Sequence, residues 1–71
     1  MSRPEKHSLT LAGHRTSVSL EPEFWAAFRD LAAKSGKGIN ALAAEIDALR
    51  DTRTGLASAI RLHILAELRK S

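Results

Sequence analysis

The chain has 71 residues with 11 basic and 8 acidic side chains, a formal charge of +3; residues 1–20 carry +2, residues 21–51 carry −2 and residues 52–71 carry +3, a polarity that favours a polyanion partner. Apolar residues make up 44%, but twelve of those 31 are alanine, so only 19 larger side chains are available for a core. That excludes more than one small domain, and the absence of cysteine excludes disulfides and thiolate metal sites as its staples.

Met1 to His7 is polar, contains Pro4 and lacks periodicity, so residues 1–7 read as a mobile arm. Arg3, Glu5, Lys6 and Arg15 interrupt the first twenty residues, which leaves no apolar core for a signal peptide. Apolar runs elsewhere are only a few residues long, far short of the roughly 18 that a membrane span needs. The expectation is a soluble cytoplasmic protein with no membrane contact.

Residues 8–20 read as a β ribbon. Leu9 and Leu11 alternate with Ser8 and Thr10, and Thr16, Val18 and Leu20 alternate with Arg15, Ser17 and Ser19. The apolar parity switches at Gly13-His14. A two-residue turn there would place Leu11 opposite Thr16 and Leu9 opposite Val18, all on one side. The alternative is that only Arg15 to Leu20 is a strand, so whether residues 8–12 form a second strand stays open.

A first helix is predicted over residues 22–35. Pro22 suits its first position, Glu23 complements the dipole, and Gly36 provides a left-handed stop. Phe24, Phe28, Leu31 and Ala32 form its apolar stripe, with Trp25 covering the core edge. A second helix is predicted over residues 39–51, where Ile39, Leu42, Ile46 and Leu49 recur at 3-4-3 spacing, a narrow seam of the kind two helices share. A third is predicted over residues 56–70. Leu56, Ile60, Ile64 and Leu68 cover one side while Ala59, Leu62 and Leu65 continue around it. A helix apolar over most of its circumference is buried on more than one side, and so short a chain can hardly surround it. A homodimer is therefore expected.

The stretch from His14 to Leu20, followed directly by Glu21-Pro22-Glu23-Phe24-Trp25, then a glycine turn and a second amphipathic helix, resembles the ribbon-helix-helix family. This family is the Arc/Met repressor superfamily of bacterial DNA-binding proteins. The resemblance covers roughly Arg15 to Arg50 and implies a mainly α fold with a short N-terminal β ribbon, here with an added C-terminal helix. It also implies an obligate dimer in which one strand from each subunit pairs and the ribbon enters the major groove of double-stranded DNA.

Carried over by position, Arg15, Ser17 and Ser19 are the base-contacting residues, with most specificity resting on the arginine. Lys37, Gly38, Ile39 and Asn40 at the start of the second helix are the phosphate contacts, through free backbone N–H groups, the Lys37 charge and the Asn40 amide. Gly38 departs from the Ser or Thr common there and offers no side-chain oxygen. The expected dimer core comprises Val18, Leu20, Phe28, Leu42, Ile46, Leu49, Ile60 and Ile64. The run Gly55 to Arg61 also looks like the opening of a family second helix, and in that register Ser58 and Arg61 become the phosphate contacts.

Catalysis is not expected. His63 and Glu67 share a helix face but read as a partly buried pair, and no glycine-rich phosphate loop is present. His7, His14 and His63 show no ligand spacing, so neither metal nor cofactor is expected. The reading is a transcriptional repressor or other regulator. The alternative is a protein-interaction module, such as an antitoxin-like helical dimer, in which DNA affinity is secondary or lost.

Overall fold

A computed structural model describes residues 2–70. Two strands, β1 (Glu5–Leu11) and β2 (His14–Leu20), precede three helices, α1 (Pro22–Lys34), α2 (Ile39–Leu49) and α3 (Leu56–Arg69). The fold is mainly helical with an N-terminal antiparallel β ribbon and a third helix. The open question over residues 8–12 resolves as a strand of the same chain: β1 pairs with β2 from Glu5 opposite Leu20 to Leu11 opposite His14.

The ribbon departs from expectation in two details. Its turn is Ala12-Gly13, one residue earlier than Gly13-His14, with φ of 50° and 86°. Two successive positive φ values are what a type I′ hairpin turn requires, and its twist matches the flanking strands. Leu9 therefore faces Thr16 and His7 faces Val18, a shift of two residues that leaves every side chain on its expected face. Strand β1 also begins at Glu5, inside the stretch read as a mobile arm. His7 explains this: its imidazole lies flat on the Trp25 indole, centroids 3.8 Å apart and planes within 4°. The ladder and this stack together extend the strand beyond its apolar residues.

His7 Nε2 is buried in this stack without a hydrogen-bond partner. An orphaned polar atom of this kind costs about 1–3 kcal/mol. Replacing His7 by phenylalanine keeps the ring and removes the orphan, and should raise stability by about 1 kcal/mol in urea titration. A loss of stability would mean that Nε2 has a partner in solution.

Helix α1 starts at Pro22 with Glu23 in its first turn and Lys34 in its last. It stops in a double hydrogen bond of the Schellman type: Gly36 N–H donates to Ala33 O and Lys37 N–H to Ala32 O, with Gly36 at φ 70°. α2 and α3 each begin at a glycine in extended conformation, Gly38 and Gly55, without a side-chain cap. The core joins one face of the hairpin (Leu9, Val18, Leu20) to Phe28 and Ala32 of α1, Leu42, Ala43 and Ile46 of α2, and Ala59, Ile60 and Ile64 of α3. α3 packs against α1, α2 and β2, while α2 packs against β1. The other face of the hairpin is left bare.

Candidate nucleic-acid interface

That bare face follows from strand periodicity. Side chains alternate, so burying Leu9, Val18 and Leu20 turns Lys6, Ser8 and Thr10 of β1 and Arg15, Ser17 and Ser19 of β2 outward. All six are exposed. The register sets them in three rungs, Lys6 beside Ser19, Ser8 beside Ser17 and Thr10 beside Arg15. Two cations, four hydroxyls and no carboxylate make this face a donor-rich, positively charged surface. Sequence reasoning singled out the β2 half. The β1 half was hidden because its pairing was undecided.

The start of α2 lies against β1. Asn40 Oδ1 accepts a hydrogen bond from the Thr10 backbone N–H at 3.0 Å, so this side chain fastens the helix to the ribbon edge. Lys37 Nζ lies 2.7 Å from Glu45 Oε2 and donates to Oε1 at 2.8 Å. Gly38 supplies the first helical acceptor, taking the Leu42 N–H at 3.0 Å, and Ile39 is half-buried against the core. The four residues thus share one corner beside the ribbon, with Lys37 and Asn40 already engaged.

Arg61 of α3 reaches the opposite edge. Its Nε and Nη2 donate to Glu21 Oε1 at 3.0 and 2.7 Å, and Nη2 also donates to the Ser19 carbonyl oxygen at 3.3 Å. Its guanidinium sits 5.5 Å from the Phe24 ring centroid. The Arg61 hydrogen bonds hold the Glu21 carboxyl below its ordinary range, with its own backbone N–H assisting. A depressed carboxyl favours folding above the carboxylate range and loses that contribution as pH falls through its folded value. Ser58, on the first turn of α3, is exposed.

Residues 4–68 match the family model described as a ribbon-helix-helix domain. The chain belongs to the ribbon-helix-helix family. No curated protein and no solved structure matches the chain significantly. Ribbon-helix-helix proteins are, as a family, DNA-binding regulators that dimerise, and their domains are binding modules rather than catalysts. Among the described residues no group of three or more His, Asp or Glu side chains is placed to hold a metal ion, and no helix is long and apolar enough to cross a membrane.

The residues expected at the subunit seam of this ribbon-helix-helix chain fall into two groups. Val18, Leu20, Phe28, Leu42, Ile46, Ile60 and Ile64 are buried in the core of the single protomer. Leu49 is 87% exposed, and Leu62, Leu65 and Leu68 of α3 are 60%, 50% and 62% exposed. Between α2 and α3 lies an open groove of about 400 Å³, lined by Leu42, Ile46, Leu49, Ala59 and Leu62 with Glu45 and Asp51 among its polar residues.

Proposed function

We propose that this chain is a sequence-specific DNA-binding transcriptional regulator that acts as a homodimer and lays its β2 face in the major groove. The observation that carries the reading is the outward row Arg15, Ser17 and Ser19, exposed on a hairpin face whose outward side chains include no carboxylate, on a ribbon-helix-helix scaffold. Arg15 supplies the strongest readout, because a guanidinium can pair with both acceptors of guanine, whereas a serine hydroxyl discriminates weakly. The start of α2, with Lys37, Gly38, Ile39 and Asn40, addresses the backbone phosphates. The dimer uses the leucines left bare on α3 and at the end of α2.

Fluorescence anisotropy with random duplex DNA and with the region upstream of its own gene, across a salt series, tests the reading. Tighter, salt-sensitive binding to the upstream duplex supports an autoregulating repressor. No binding at low salt refutes it. Arg15→Ala should weaken binding to the preferred duplex by about 1–3 kcal/mol with the dimer intact. An unchanged affinity would move readout to another surface.

Lys37 must leave Glu45 to meet a phosphate. Lys37→Ala should therefore weaken all duplexes alike and flatten the salt slope by about 1. Glu45→Gln, by releasing the ammonium, should strengthen all duplexes alike. A loss confined to one sequence from Lys37→Ala would contradict a phosphate role.

The exposed Leu49 and the groove beside it favour a second reading, a helical interaction module whose partner is another protein. Salt separates the two, since an apolar protein interface changes little across a series that abolishes DNA binding.

A further inference from the structure

We infer that β1 is a phosphate-binding strand: Lys6, with Ser8 and Thr10 after it, contacts the DNA backbone at the rim of the groove that β2 enters. This rests on the DNA-binding reading above and gives a role to a strand which that reading leaves unused. The ligand is the phosphodiester backbone, so β1 adds affinity and carries no sequence preference of its own.

β1 lies between β2 and the start of α2. On one side its backbone pairs with β2 from Glu5 opposite Leu20 to Leu11 opposite His14. On the other, the Thr10 N–H donates to Asn40 Oδ1 at 3.0 Å. A surface that meets bases along β2 and phosphates at the start of α2 crosses the edge of the groove between them. β1 occupies that interval, and Lys6, Ser8 and Thr10 share its outward face with Arg15, Ser17 and Ser19 of β2.

Sheet width leads to the same place. In a ribbon built from the β2 strands of two subunits, as the family resemblance implies, each β1 becomes an outer strand. Adjacent strands lie about 4.8 Å apart, so the two β1 strands are separated by about 14 Å. The major groove is about 12 Å wide. The inner pair therefore fits within it, and the outer pair lies over the phosphates on either side. From Lys6 to Thr10 each outer strand follows about 14 Å of that rim.

The side chains suit a phosphate. Phosphate oxygens only accept hydrogen bonds, and the Lys6 ammonium and the Ser8 and Thr10 hydroxyls all donate. Lysine is a compact point charge without the planar fork of arginine, which makes it a phosphate binder first. Lys6 is also uncommitted. Among the described residues, Lys37 is held by Glu45 at 2.7 Å, Arg61 by Glu21 at 2.7 Å and Lys70 by Glu67 at 3.0 Å, whereas no carboxylate pairs with Lys6. Meeting a phosphate costs Lys6 no ion pair, and releasing condensed counterions from the duplex favours the contact.

The test uses the full chain, random duplex DNA and a duplex enriched from a randomised pool by binding, with circular dichroism verifying the fold of each variant. Lys6→Ala should weaken both duplexes alike, by at least about fivefold near about 0.1 M salt, and flatten the salt slope by about 1 per protomer. Lys6→Arg should keep the wild-type slope. Adding Ser8→Ala and Thr10→Ala to Lys6→Ala should lower affinity further without changing the slope, because hydroxyls carry no charge. Arg29→Ala removes an equal charge from an exposed position on α1, on the core side of the hairpin, and should alter the slope far less. Methylphosphonate substitution neutralises one phosphate at a time. At the rim it should weaken the wild type and leave Lys6→Ala nearly unaffected. A wild-type slope for Lys6→Ala, equal flattening by Arg29→Ala, or a loss confined to particular base pairs overturns the phosphate role, while Arg15→Ala still reports base readout. A wild type that binds no duplex at low salt overturns the DNA-binding reading itself.

Discussion

Replacing Phe28 with alanine should leave the chain largely unfolded at 25 °C. Phe28 is the largest fully buried side chain, with no exposed surface, and shares the deepest part of the core with Leu20, Ile60 and Ile64. Those four come from α1, β2 and α3, so the ring joins three of the five elements. Truncating a buried phenylalanine to alanine costs about 3–5 kcal/mol, because the transfer energy is lost and a cavity remains. A core of this size gives a total of about 3–5 kcal/mol, so the loss consumes all of it. Far-UV circular dichroism should show loss of helix, and Trp25, whose ring lies 5.9 Å from Phe28, should become solvent-like in fluorescence. Phe28→Leu should retain a cooperative melt at a lower temperature. A cooperative melt for Phe28→Ala would show that another source of stability exceeds this core. In a homodimer that melt would also move with protein concentration.

Leu65→Glu should give a folded monomer. Leu65 is exposed together with Leu62 and Leu68, whereas Ile60 and Ile64 of the same helix are buried. It is half exposed, so an added carboxylate disturbs no packed neighbour in the protomer. Fully burying a leucine contributes about 1.5–3 kcal/mol, the exposed half of Leu65 about half of that, and a two-fold interface counts it twice. The dimer should therefore weaken by about 1.5–3 kcal/mol, before the added cost of burying a charge. Sedimentation at micromolar concentration reads the association, and circular dichroism confirms the fold. An intact dimer would place the interface away from the α3 leucines. Ile60→Glu is the contrast: that side chain is buried within the protomer, so its substitution should unfold the chain.

The helices were legible because their signals are local. Pro22 and Gly36 bound α1 in the sequence and in the structure, and glycines precede both other helices. The strand faces were legible too, since alternation survives a change of register. What sequence could not supply depends on distant partners. Gly13 drew the expected turn one residue late, because nothing marks Ala12 as a residue that accepts φ of 50°. Glu5 to His7 has no apolar alternation, and its strand exists through pairing with Val18 to Leu20 and the stack on Trp25. Leu49 fits the helical spacing of the α2 seam, yet the helix ends there. Arg50 turns back to Asp47 Oδ1 at 2.7 Å and to the Thr54 carbonyl at 2.8 Å, which directs the chain toward α3 and leaves Leu49 outside. Within the site, Arg15, Ser17 and Ser19 could be read from the strand itself. The engagement of Asn40 with Thr10 and of Arg61 with Ser19 spans 30 and 42 positions, beyond the reach of any periodicity.

The Arg61 hydrogen bond to Ser19 also has a consequence for synthesis. A ribosome adding about 5–20 residues per second finishes β2 some 2–8 s before it adds the arginine 42 positions later. During that interval an isolated hairpin is at best marginally stable, and its outer strand offers unsatisfied backbone groups to any extended chain nearby. Neighbouring nascent chains on one polysome are the nearest such chains. Faster translation between β2 and α3 shortens their opportunity to pair wrongly, so slow codons in that stretch should lower the soluble yield.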